Sequence, residues 1–191
     1  DPITGTIKDV GNLAIQVTVN DLASSGAEPV GVMLTVLLPK AVTEEDIREM
    51  MSQVEEACSV FQIQVMGGHT EVTAAVAQPV ISVTGVGKAR EDQLISTAGA
   101  KVGQDILVTK WIGIEGTSII AKEKEEELGK RFSKSFVETA KGFDQYLSVL
   151  PEARLAVKLG VSAMHDVTEG GIYGALWELA EASGIGLEID L

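Results

Sequence analysis

Residues 30–38 form an uncharged run of β-branched and aliphatic side chains that stops at Pro39, and it limits the fold more than any other stretch of the chain. It is too short to cross a membrane and long enough for a buried strand. Helical signals flank it on both sides. Upstream, residues 12–25 have few strand signals and end at Gly26, a suitable helix stop. Wound as a helix, they place Leu13, Ala14, Ile15, Val17, Val19, Leu22 and Ala23 around nearly the whole circumference, the mark of a buried helix. Downstream, Thr43 followed three residues later by Asp46 marks a second helix start. Ile47, Met50, Met51, Val54, Cys58 and Phe61 then recur at helical spacing, with charge on the other face. Short strands are expected at 63–66, running into Gly67 and Gly68, and at 79–86, ending at Gly87.

Periodicity breaks at Gly99-Ala100-Lys101-Val102-Gly103, which sets a domain boundary between 1–103 and 104–191. Beyond it, 105–109 reads as a fresh apolar strand. The charge run 122–131 lies in a helical stretch whose alternating signs suit i,i+4 pairing on a solvated face. Residues 133–150 read as helix despite Gly142, and Pro151 starts the next element. A strand at 161–164 leads to a helix over 172–183, closed by Gly184, with Leu176, Leu179 and Ala180 inward and Glu178 and Glu181 outward. Residues 186–191 read as a strand cut off without a terminator, and the first residue is Asp1 rather than Met, so a fragment of a longer protein is expected.

Among 191 residues, 45% are hydrophobic, enough for a sizeable core and for more than one average domain. Against 28 Asp and Glu stand 15 Lys and Arg, and the resulting charge of -13 repels nucleic acid and anionic membrane. One cysteine makes no internal disulfide framework, which points to a reducing, soluble, cytoplasmic setting. Familiar motifs are absent. Gly87-Lys88-Ala89 lacks the upstream glycine and the Ser or Thr of a P-loop, and there is no G-x-S-x-G or H-E-x-x-H.

Three places carry candidate chemistry. Asp21 shares a helical row with Ala14, Thr18 and Ser25, all small or hydroxylated, between apolar flanks at Val17 and Leu22, where a carboxylate either bonds local backbone near a helix end or ligates a metal; Asn20 beside it does not decide. Gly67-Gly68-His69-Thr70-Glu71 follows a strand, so it reads as a glycine turn with His69 and Glu71 projecting from the strand end, either solvated or facing a ligand. His165-Asp166-Val167-Thr168-Glu169-Gly170-Gly171 joins a strand to a helix. With Thr168 as N-cap, the free amides near Gly170 and Gly171 make either an anion pocket or a plain helix start. A zinc site from Cys58, His69 and His165 has no recognisable spacing, and Cys58 reads as core.

These motifs also occur in a telling order. Asp1-Pro2, Asp9-Val10-Gly11, Val19-Asn20-Asp21-Leu22-Ala23-x-x-Gly26-Ala27-x-Pro29, Gly67-Gly68-His69-Thr70 and Met164-His165-Asp166-Val167-Thr168-Glu169-Gly170-Gly171 together resemble the aminoimidazole ribonucleotide synthetase superfamily over nearly the whole chain. The nearest branch is that of hydrogenase maturation factor E and its relatives. That branch usually has Gly-Asp-Thr where this chain has Gly68-His69-Thr70, and Arg in place of Glu169. The resemblance implies a two-domain α/β (α+β) fold, with an N-terminal ATP- and magnesium-binding domain whose sheet pairs with a second subunit's in a homodimer, and an incomplete C-terminal domain. It also implies an enzyme that uses ATP to phosphorylate an amide or related oxygen, as in the thiocarbamoyl dehydration that builds a metal-centre cyanide ligand, with a small or protein-borne substrate and a carbamoyltransferase as partner. Other branches imply phosphoribosyl-amidine cyclisation or a small-molecule kinase; the alternative from a different class is a catalytically silent binding or scaffolding member. By matching position, Asp1 and Asp21 would hold Mg²⁺. Asn20, Gly67, Gly68, Thr70, Thr168, Gly170 and Gly171 would line the ATP site, with His69, Glu71 and Asp166 acting at the phosphates.

Overall fold

In the computed structural model, residues 2–4 and 7–190 are described, so the expectation for Asp1 lies outside the described residues. The chain divides into two compact units, Asp1–Leu94 and Ile95–Leu191.

The first unit is a four-stranded sheet carrying two helices. Its elements are β1 (Pro2–Thr4), α1 (Ile7–Ser24), β2 (Glu28–Pro39), α2 (Glu44–Phe61), β3 (Gln64–Thr73) and β4 (Val80–Lys88), with strand order β1-β4-β2-β3. β2 runs parallel to β3 and antiparallel to β4, as the α2 crossover between β2 and β3 requires. The expected order of helix, strand, helix, strand, strand is present, with β1 added at the edge.

Alternation decides which faces are buried. Val32, Leu34, Val36 and Leu38 of β2 and Ile81 and Val83 of β4 turn inward, where they meet Val10, Ala14, Ile15 and Val19 of α1 and Met50 and Val54 of α2 in one core. The opposite face carries Met33, Thr35, Ser82 and Thr84 and is exposed, so the 30–38 run is buried on one side only. α1 is nearly surrounded, as its sequence indicates: from Lys8 to Ser24 only Lys8 and Asp21 are exposed. α2 starts as expected, in a capping box where Thr43 Oγ1 accepts from Asp46 N and the Asp46 carboxylate accepts from Thr43 N at 2.9 Å. Those hydrogen bonds hold the Asp46 carboxyl below its usual range.

α1 and α2 cross at a glycine. A Cβ on Gly11 would stand 2.5 Å from the Met50 carbonyl oxygen, so only glycine permits this approach. Gln53 closes the crossing: its Oε1 accepts from Gly11 N at 3.2 Å and its Nε2 donates to Lys8 O at 2.8 Å.

The second unit is helical among the described residues: α3 (Ile114–Glu123), α4 (Glu125–Leu128), α5 (Lys134–Lys141), α6 (Leu150–Leu159) and α7 (Gly171–Ser183), with a 3₁₀ turn at Gly142–Tyr146. Several expectations are corrected here. Residues 105–109, 161–164 and 186–190 are not strands, because none of them has a pairing partner among the described residues. The expected 133–150 helix breaks after Lys141, where Gly142 opens the 3₁₀ turn, and α6 begins with Pro151 in its first turn. The 122–131 charges are recruited across elements as well. Lys122 bonds Asp144 at 2.6 Å, and Glu125 meets Lys141 at 2.6 Å. α7 ends at Gly184 in the left-handed conformation, as expected.

Candidate functional site

The glycine pair lies inside a strand instead of a turn. Gly67 to Glu71 are the middle of β3, in register with Met33 to Leu37, and every residue from Gln64 to Val72 is exposed. The short strand expected at 63–66 extends through the glycines because Gly68 removes a collision. At φ +149°, a Cβ there would lie 1.9 Å from the Leu34 carbonyl oxygen. Strand alternation then sorts the motif. His69 and Glu71 share the open face of the sheet, their side chains 3.5 Å apart, whereas Thr70 points to the other face.

Asp21 and Asn20 sit in the last turns of α1. Asp21 is exposed and Asn20 half-buried, while the neighbouring hydroxyls are used locally: Thr18 Oγ1 donates to Ala14 O at 2.9 Å and Ser25 Oγ to Leu22 O at 2.7 Å. Among the described residues no group of three or more His, Cys, Asp or Glu is placed to hold a metal ion. Cys58 is buried on α2, and burial pushes its thiol pKa up, as expected for a core residue.

The turn before α7 differs from expectation at its cap. Gly170, at φ +84°, occupies the N-cap position with no side-chain cap bond, and Thr168 contributes only its carbonyl, which accepts from Gly171 N at 3.1 Å. Two consecutive glycines at positive φ make this connection tighter than a Thr cap would. The α7 N-terminal amides are thus left without a capping side chain, which is the arrangement an anion uses.

Asp166 is the most enclosed acid of the motif, its side chain 10% exposed, and its Oδ2 is buried with no hydrogen-bond partner among the described residues. Next to it, His165 Nε2 lies 2.7 Å from Glu178 Oε2 and His165 Nδ1 lies 3.7 Å from Asp166 Oδ1. Glu178, expected outward, is half-exposed, and its carboxylate turns back to the histidine. No local spacing signals a contact across thirteen residues and a glycine turn. Glu115, in the first turn of α3, was also missed. Burial, and then the charge of Glu169, push its carboxyl pKa above the usual range, so the start of α3 and the 165–171 turn lie within electrostatic reach.

Models of AIR synthase related proteins match the chain twice, the N-terminal domain over residues 2–89 and the C-terminal domain over residues 101–191. The chain belongs to the AIR synthase related family. Within it, a protein of Methanocaldococcus jannaschii named for hydrogenase expression and formation is 30% identical over 181 residues, covering 95% of this chain and 52% of the relative. The carbamoyl dehydratase HypE of Cupriavidus necator is 29% identical over 184 residues, covering 95% of this chain and 50% of that protein. A structure of the hydrogenase maturation protein HypE in complex with ATP superposes with TM-score 0.80 at 24% identity, covering 96% of this chain and 54% of that one. The fold is that of the family, and the chain spans about half the length of these curated relatives. No helix among the described residues is long and apolar enough to cross a membrane.

Proposed function

We infer that the protein is an ATP-dependent enzyme that phosphorylates an amide-type oxygen, a step that would serve the dehydration its carbamoyl dehydratase relatives are named for. It acts as a homodimer, and its substrate is delivered by a carbamoyltransferase-type partner. The Asp166 carboxylate carries this reading. A carboxylate oxygen buried without a partner costs free energy, and a cation or an N–H or O–H donor on a bound ligand removes that cost. The glycine turn leaves the α7 amides of Ile172 and Tyr173, just beyond Gly170 and Gly171, without a capping side chain, and these suit phosphate oxygens.

Magnesium fits the chain's electrostatics. A chain of charge -13 holds a triphosphate only when cations bridge the two, and Mg²⁺ is usually held by one or two carboxylates together with phosphate oxygens and water, so no large acid cluster is needed. Asp21, exposed on α1, and Asp1 would hold the ion; Asn20, Gly67, Gly68 and Thr70 would line the nucleotide, with His69 and Glu71 near its phosphates. Bound ATP supplies the phosphoryl group that turns a poor oxygen leaving group into a good one.

Calorimetry on the full-length protein tests this. ATP should bind with Mg²⁺ and fail to bind in excess chelator, and Asp21→Asn should weaken Mg-ATP binding at least about tenfold, the weight of one lost charge-assisted contact. Tight binding in chelator, or unchanged Mg-ATP binding after Asp21→Asn, would remove these acids from the metal role. Light scattering that shows a monomer at tens of micromolar would remove the homodimer.

A further inference from the structure

We propose that His165 is a positioning residue for Asp166, braced by Glu178, and that these three side chains together set the direction in which Asp166 presents its free oxygen. The proposal rests on the reading of Asp166 given above and names the groups that make its carboxylate usable.

The order of contacts carries it. A carboxylate only accepts, so the 2.7 Å contact places the proton on Nε2, which donates to Glu178 Oε2 and fixes the plane of the ring. The other edge of the ring then stands beside Asp166 Oδ1, with Nδ1 at 3.7 Å. That is beyond hydrogen-bond length but close enough to wall off that side of the carboxylate. Exposure falls along the series, from 50% for the Glu178 side chain to 19% for His165 and 10% for Asp166. Solvent therefore reaches the brace and hardly reaches the acid.

The backbone under this series is held as well. Met164 O accepts from Thr97 Oγ1 at 3.3 Å, Thr97 O accepts from Ser183 Oγ at 3.0 Å, and Gln104 Nε2 donates to Ser162 Oγ at 2.6 Å. Ser162 O also packs so tightly on Gly99 that a Cβ there would lie 1.9 Å away. These contacts tie down residues 162–164 just before Asp166, whose side chain can still rotate. His165 limits that rotation. Holding a reacting group in one orientation is a recognised source of rate, and second-layer partners of this kind commonly supply it.

The test uses the full-length protein and reads both the ring and the reaction. In ¹⁵N-histidine NMR without nucleotide, the His165 signal, assigned by its loss in His165→Ala, should report a ring protonated at Nε2. Glu178→Ala should convert it to a tautomer mixture, and Glu178→Gln, whose amide oxygen still accepts, should preserve it. In ATP turnover, His165→Ala and Glu178→Ala should each lower kcat about tenfold with KM for Mg-ATP changed less than about twofold, and the double variant should be no slower than the slower single. Glu178→Gln should stay within about threefold of the parent. Glu178 is half-exposed, so its variants test the idea even where His165→Ala folds poorly. Normal kcat in His165→Ala and Glu178→Ala alongside slow turnover in Asp166→Asn would overturn this inference and leave the function intact, as would a His165 signal indifferent to Glu178→Ala. Full turnover in Asp166→Asn would overturn both.

Discussion

The two units solve the problem of burying apolar residues differently. In Asp1–Leu94, the alternating side chains of β2 and β4 lie under α1 and α2, and Val32, Val36, Leu38 and Ile81 are essentially inaccessible. In Ile95–Leu191, the apolar run 105–109 is irregular and unpaired among the described residues, Leu107 is 86% exposed, and burial comes mostly from short helices, at residues such as Ser118, Ala121, Val137 and Ala140. Both units contain runs that read as strands. Only those whose cross-strand neighbours are present become strands, because a strand gains its hydrogen bonds and half its packing from another segment.

The largest expected effect tests that contrast directly. Leu38→Ala should cost about 2–5 kcal/mol in urea unfolding, because the fully buried site cannot collapse around the lost methyl groups, whereas Leu107→Ala should stay within about 0.5 kcal/mol. Comparable losses at the two positions would mean that the second unit buries this run after all.

Glycine substitutions sharpen the comparison at intermediate size. Gly11→Ala forces α1 away from the Met50 carbonyl and should destabilise by about 1–3 kcal/mol. Gly116→Ala, in α3 with nothing within 4 Å of the added methyl, should stabilise by up to about 1 kcal/mol. Thermal melts of the two variants should shift in opposite directions; a loss of stability at Gly116 would show that α3 is more closely packed than its surface indicates.

The smallest effect concerns Glu115 and depends on pH. Burial and Glu169 raise its carboxyl pKa, so the native state keeps a proton that the unfolded chain releases near its ordinary value of 4.5. That contribution to stability is full below the ordinary value and is lost as pH rises through the raised one. Glu115→Gln should therefore raise the melting temperature by about 1–3 °C at pH 7.5 and leave it nearly unchanged at pH 4. An equal shift at both pH values would assign the effect to packing and remove the Glu169 interaction.

Local chemistry made much of the molecule legible beforehand. The Thr43 and Asp46 cap, the inward stripe of α2, the nearly encircled α1 and the Gly184 stop of α7 depend on residues within a turn or two of one another, and the ordered motifs were enough to reveal the family. The extent of β3, the missing strands of the second unit and the Glu178, His165 and Asp166 series could not be read this way. Gly67 and Gly68 look like a turn until Leu34 is placed against them, and Glu178 looks solvated until α7 folds back toward residue 165. Sequence determined the elements whose stabilising partners are neighbours along the chain. Tertiary structure decided those whose partners arrive from distant segments, because pairing and burial depend on what lies across the gap.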